Sequence, residues 1–339
     1  MATDWHMVHL GSRAVGGAAL VFTEATAVSA EGRISPQDLG IWNDAQAEAL
    51  APIAAFIKSQ GAVAGIQLAH AGRKASTFRP WSDSRGQVPQ GRGGWLPVAP
   101  SPIPFAPADQ LPHELGTSEI QAVVADFAQA ASRALRAGFQ VVEIHAAHGY
   151  LIHEFLSPLS NNRKDTYGGS LQGRFSLLRE VVEAVSEVWP DELPLWVRLS
   201  ATDWAESGGW DIEETVQVAA WLRQLGVDVV DCSSGGTLRS ATVPEEPGYQ
   251  VGFAARVRQE AGVASAAVGL ITEAAQADQI VQSTQADMIL LARAMLRDPY
   301  WPMKAAQELG AEVRWPEQYL RAKPRAQSIR DTASVRGPQ

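Results

Sequence analysis

The sequence predicts a parallel α/β barrel of the (β/α)8 TIM-barrel type, with its first strand absent. Three observations predict it. Short apolar runs alternate with amphipathic helical stretches along the chain, histidines gather where one run ends, and the last two runs lead into phosphate-type loops. At 339 residues one such barrel accounts for the whole chain as a single domain.

The first readable element is helical, Val8 to Val15. Only Met1 to Met7 precede it, too short and too polar for a loop plus a strand. The expectation is therefore a longer chain truncated inside the first strand-to-helix loop, leaving two strand edges unpaired. Seven strand-like runs follow: Leu20 to Glu24, Val63 to Leu68, Val141 to His145, Leu195 to Leu199, Val227 to Cys232, Ala264 to Gly269 and Met288 to Leu291. Helical stretches sit between them. Ser118 to Ala137 carries a capping box in Ser118 and Gln121, and Gly138 stops it. Arg174 to Trp189 and Asp211 to Leu225 behave likewise, the latter closed by Gly226. Alternation this regular demands parallel strands with crossover helices.

One stretch breaks the rhythm. Ser76 to Gly116 is rich in Pro, Gly, Ser and Trp, and an insertion of that length reads as a lid over a site. The domain plan is a barrel over 1–322 with this insertion at 76–116, then a polar C-terminal tail over 323–339.

Composition narrows the function. Hydrophobic residues make up 46% and charged residues 19% of the chain, enough apolar material for a sizeable core. A net charge of −9 without basic runs excludes nucleic acid and anionic membranes as partners and leaves a small molecule. Cys232 is the single cysteine, so no disulfide, Cys-rich zinc site or iron–sulfur cluster can be built from one chain, as suits a reducing cytoplasm. No signal peptide or membrane-spanning run is legible.

The chemistry concentrates in His145-Ala-Ala-His148-Gly-Tyr150, emerging from the run Val141 to Ile144. Two imidazole donors three residues apart can converge on a developing negative oxygen, and a phenol a turn later can deliver a proton. The other reading of His145 and His148 is a pair of satisfied turn histidines. A metal site from His145, His148, His153 and Glu154 ranks lower, because a strand-end carboxylate pair and helical His spacing are missing. Arg198 lies in an apolar strand and must be paired, either structurally with a carboxylate or functionally with an anionic ring. Gln67, at its strand end, offers an amide to a polar ring edge. After the last two strands Gly269 and Ala292 permit close approach of backbone N–H groups to a phosphate, with Arg293 adding charge; otherwise they are a turn glycine and a surface cation.

With these elements in place the chain resembles the old yellow enzyme family of flavin-dependent ene-reductases, in the bacterial class that includes the xenobiotic reductases. The likeness runs from Asp4 to about Pro324 and includes Asp38-Leu-Gly-Ile-Trp42, Gln67 to Lys74, His145 to Ser160, Tyr167 to Ser170 and Asp231 to Gly235. The resemblance implies FMN over the barrel mouth, reduced by NADPH or NADH, passing hydride to the β-carbon of an α,β-unsaturated carbonyl, with nitro compounds as a further acceptor. It gives His145 and His148 the substrate oxygen and Tyr150 the proton. Ala25, Gln67 and Arg198 would line the flavin ring, and Gly269, Ala292 and Arg293 would hold its phosphate. Lys74 matches a lid residue near the substrate, and Arg321 an arginine that relatives insert into a neighbouring subunit, implying a homodimer or larger homo-oligomer. The family's first strand, with its flavin-tuning cysteine, has no match here. The competing expectation is a truncated, catalytically silent flavin- or phosphate-binding barrel.

Overall fold

The computed structural model describes residues 1–324, so the tail expected over 323–339 lies outside the described residues from 325 on. Helix α1 (Asp4–Val15) begins before Val8 and lays Leu10, Gly11 and Ala14 against the core. Strand β1 (Leu20–Ala27), helix α2 (Asp44–Ser59) and strand β2 (Val63–Ala69) follow. The insertion carries two short strands, β3 (Val98–Ala99) and β4 (His113–Glu114). Then come α3 (Thr117–Ala137), β5 (Val141–Ala146), α4 (Leu151–Leu156), α5 (Leu171–Ser186), β6 (Leu195–Ser200), α6 (Ile212–Gln224) and β7 (Val229–Ser233). The chain continues through α7 (Val251–Arg256), β8 (Ala264–Ala267), α8 (Ala274–Gln282), β9 (Met288–Ile289), α9 (Arg293–Arg297) and α10 (Trp301–Glu308).

All seven expected strands form one parallel sheet in the order β1-β2-β5-β6-β7-β8-β9. Among the described residues β1 and β9 are its two edges and do not pair with each other. Alternation along each strand sorts the side chains. Ile66, Leu68, Val142, Ile144, Val197, Leu199 and Val230 face outward and are fully buried under helices α2, α3, α5 and α6 through residues such as Leu50, Phe127, Leu178 and Leu222. The inward face is layered. Its floor is apolar, with Val141, Trp196, Val229 and Ala266 packed against Phe22 and Met288. Gly65 makes the room for Phe22, whose ring lies 2.7 Å from where a Cβ would sit. Above the floor the inward positions turn polar.

One local expectation is corrected. Helix α3 is capped at Gly116, whose N–H donates to the Glu119 carboxylate at 2.7 Å. Ser118 therefore lies inside the first turn, and Glu119 rather than Gln121 reaches back. Segment 76–116 carries structure of its own: β3 and β4 pair in parallel, and Trp95 Nε1 donates to the Glu31 carbonyl at 2.8 Å. Arg33 stacks between Trp42 and Trp95, 5.3 and 4.8 Å from their ring centres. Two-residue strands leave no periodicity for a sequence reading to find.

Candidate active site

Strand β5 delivers His145 to the C-terminal end of the sheet, and the chain turns sharply into α4. His148 and Gly149 both adopt left-handed backbone, φ 60° and 71°, a conformation that costs a non-glycine residue of order 1–3 kcal/mol unless its surroundings impose it. Here they do. A Cβ on Gly149 would lie 2.2 Å from the Gly236 oxygen, so these two loops touch backbone to backbone. The His148 N–H donates to Ser200 Oγ at 2.9 Å, which donates to the Gly235 carbonyl at 2.8 Å. Gly149 N–H donates to His153 Nδ1 at 2.8 Å, and Asp203 lies 3.3 Å from the other nitrogen of that ring. Lys74 Nζ donates to the carbonyls of His148 and Gly236 at 2.8 and 3.1 Å.

The result is a fixed imidazole pair. The Ala147 N–H donates to His145 Nδ1 at 3.2 Å, which places the His145 proton on Nε2. His145 Nε2 and His148 Nδ1 are 3.1 Å apart. His145 Nε2–H therefore donates to His148 Nδ1. For both to donate to one oxygen, His148 must carry its proton on Nδ1. Burial first, and then the Arg198 guanidinium, hold both rings well below the ordinary imidazole range, so they are neutral. Tyr150 packs edge-on to His145, 5.0 Å between centres. Burial, helped by Asp38, pushes its phenol up to about 12 and keeps it protonated. Lys74 lies 4.6 Å over the Phe105 ring and 5.1 Å over Tyr150, and burial pulls its ammonium down to about 8.

Beneath the histidines is a polar layer. Gln67 Nε2 donates to Glu143 Oε1 at 2.6 Å. Arg198 Nε lies 2.9 Å from Asp231 Oδ2, and its Nη2 donates to Ser233 Oγ at 2.8 Å. The structural pairing of Arg198 is thus present, and its side chain is still 21% exposed toward the mouth. A cavity runs from His148 and Arg198 past Ser234 and Gln250 to Gly269, Ala292, Arg293 and Arg297. Ala25 and Tyr150 line a smaller hollow with Ile34 and Asp38, and Ala25, Gln67 and Glu143 sit in register across β1, β2 and β5. Gly269 has φ 120°, and a Cβ there would lie 2.7 Å from Gln250 Nε2, so only glycine keeps that backbone open to the cavity.

The structure therefore gathers His145, His148, Tyr150, Lys74, Ala25, Gln67 and Arg198 at one end of the sheet, with Gly269, Ala292 and Arg293 along the same cavity. Arg321 does not join them. It is exposed on the 3-10 turn Glu317–Ala322, whose first residues, Glu317 and Gln318, border a hollow at the opposite, N-terminal ends of β1 and β2. Sequence reasoning gave no role in the site to Glu143, Ser200 and Arg297, named Asp231 only within a family motif, and weighed His153 only as a metal ligand. The overlooked signal was acidic residues, Glu143 and Asp231, inside otherwise apolar strands. Among the described residues no group of three or more His, Cys, Asp or Glu is placed to hold a metal ion, and no helix is long and apolar enough to cross a membrane.

This donor set fits FMN. An amide and a guanidinium stand under the mouth for a polar ring edge, and a side-chain-free backbone with two arginines stands at the far end for a phosphate. Fold and site together define an α/β-barrel flavin oxidoreductase. The profile of the NADH:flavin oxidoreductase / NADH oxidase family matches residues 1–312. An NADPH dehydrogenase of Bacillus cytotoxicus is 48% identical over 320 residues, covering 94% of this chain and 87% of that protein. The solved structure of morphinone reductase with tetrahydroNAD is 29% identical, covers 94% of this chain and 84% of that one, and superposes with a TM-score of 0.74. A 2-naphthoyl-CoA reductase shares the fold at 24% identity and a TM-score of 0.82; this chain matches 47% of its length. The chain belongs to the NADH:flavin oxidoreductase family, the old yellow enzymes, and is an NAD(P)H-dependent FMN oxidoreductase.

Proposed function

We propose that this oxidoreductase is an ene-reductase acting on α,β-unsaturated carbonyl compounds, with nitro compounds as a further acceptor. The observation that carries the reading is the neutral pair His145 and His148, their ring nitrogens 3.1 Å apart at the mouth. FMN, when bound, supplies hydride transfer from NADPH or NADH to the alkene through its N5. Gln67, Arg198 and Ala25 would hold the ring, and Gly269, Ala292 and Arg293, joined by Arg297, the phosphate.

The chain's own residues do the rest. As hydride reaches the β-carbon, negative charge grows on the carbonyl oxygen. Fixed N–H donors stabilise that charge more than the neutral ground state. His145 Nε2–H is preset for this by Ala147. His148 joins once its proton is on Nδ1, and Lys74 and Ser200 hold its backbone in place. Tyr150, protonated throughout the neutral range, gives its proton to the α-carbon. Segment 76–116 serves as the lid, with Lys74 and Phe105 bordering the substrate. Exposed Arg321 is free to reach a second copy in a homodimer or larger assembly, and a site for NAD(P)H chemistry suits the cytoplasm.

A second reading draws on β1 and β9, which among the described residues are the two unpaired edges of the sheet. An eighth strand between them would close the barrel, and without it FMN binding would be weak and the barrel catalytically silent. One experiment separates the two. The protein is titrated with FMN, reduced anaerobically by NADPH and mixed with 2-cyclohexenone. The ene-reductase reading expects bleaching of the flavin band and its return on mixing; bleaching without return overturns it.

A further inference from the structure

The Glu143 side chain has no place in the steps above, yet it is an almost completely buried acid near the mouth. It is 1% exposed and faces inward from β5, one layer beneath His145. Its Oε1 accepts from Gln67 at 2.6 Å, and its Oε2 is buried without a partner. Asp231, fully buried, faces the same interior from β7. We propose that Glu143 holds a proton in the resting protein and is a positioning residue for the flavin ring, fixing the Gln67 amide and coupling the ring's charge to that proton. This rests on the FMN reading above.

Two carboxylates, Glu143 and Asp231, share one guanidinium, Arg198. Full ionisation would leave a net negative charge shut away from water, which is costly. One proton removes it. Arg198 makes its short contact with Asp231, at 2.9 Å, so the proton belongs on Glu143. The groups facing Glu143 are Gln67 from β2, Arg198 from β6, Asp231 from β7 and neutral His145 on its own strand; β1 and β8 contribute Phe22, Ala25 and Ala266, which do not titrate. Burial, then the Asp231 charge, push the Glu143 carboxyl up to about 8.

A ring that gains negative charge on reduction favours the protonated acid further. Between the Glu143 midpoints of the oxidised and reduced protein, reduction of bound FMN is therefore accompanied by uptake of one proton from solvent, which forms an O–H bond on a Glu143 oxygen. The potential of the flavin then falls more steeply with pH in that range.

The test uses the full chain as apoprotein and FMN-loaded protein, with Glu143→Gln and Asp231→Asn variants. Infrared spectra should show a protonated-carboxyl carbonyl band in the wild type that fades through pH of about 8. Glu154, also pushed by burial to about 8, contributes to the same band, so the reading is the part missing in Glu143→Gln. On reduction of bound FMN the Glu143 midpoint should rise by about one pH unit or more. The bend in the potential-against-pH curve should disappear in Glu143→Gln. A wild-type spectrum with no band fading between roughly pH 7 and 9 overturns the proposal even if the variants do not fold. So does a band lost in Asp231→Asn and kept in Glu143→Gln, or superimposable potential curves. If the wild type takes up no FMN, the flavin reading fails, and the apoprotein spectra still decide where the proton sits.

Discussion

At the scale of single residues, reactivity turns on protons at named atoms. His145 has its proton fixed on Nε2 by the Ala147 amide, whereas His148 has a choice. Replacing either by alanine removes one donor from the growing negative oxygen. The alkene-reduction rate in anaerobic stopped-flow should fall by about a hundredfold to a thousandfold, ~2.7–4 kcal/mol of barrier, while flavin reduction by NADPH changes much less. Tyr150→Phe should slow the same half-reaction by ~100-fold or more through loss of the general acid, with FMN affinity unchanged. Because burial and Arg198 keep both imidazoles neutral well below the ordinary value of 6.5, the alkene-reduction rate should stay level as pH falls through 6.5. A rate that drops there with a single inflection would show that one ring titrates normally.

At the scale of elements, the strained turn between β5 and α4 is held by its neighbours rather than by its own residues. Gly236 packs against it, and a Cβ at that position would lie 2.3 Å from the His148 carbonyl carbon. Gly236→Ala should therefore lower the thermal midpoint by several degrees and impair catalysis together, since the backbone at φ 101° also disfavours any other residue. The seven strands were legible because each alternates or is wholly apolar. So was the cluster at the end of β5, because His, His and Tyr stand together in one short segment. Lys74 was legible as a residue near the site but not as a clamp, since its partners are the carbonyls of His148 and Gly236, 74 and 162 positions away. Carbonyls carry no sequence signal. Glu143 and Asp231 were hidden differently: each sits among β-branched residues, and their shared interior appears only once β5, β6 and β7 are in register. The Arg33 stack that anchors segment 76–116 joins three distant positions and was equally silent.

At the scale of the whole molecule, the polar layer inside an apolar barrel sets how stability responds to pH. Burial raises Glu143 and Glu154 from 4.5 to about 8. Between those values the folded chain keeps protons that the unfolded chain has released, so stability falls as pH rises. His70, pulled by burial from 6.5 to about 4, acts oppositely and only below 6.5. From pH 6.5 to 8 the glutamates act alone among these groups, and the thermal midpoint should decline across that interval, less so in Glu154→Gln. A midpoint that rises instead would place both acids in the ionised state. Among the described residues β1 and β9 are the two edges of the sheet; a rise in FMN affinity when a strand is added to cover them would favour the silent-barrel reading, and equal affinity would count against it. The most direct test of the whole reading is the rate at which 2-cyclohexenone reoxidises the NADPH-reduced, FMN-loaded protein without oxygen, compared with His145→Ala and His148→Ala. A fast return of the flavin band in the wild type, slowed about a hundredfold or more in each variant, is the predicted result; no return in the wild type, or equal rates in all three, would contradict it.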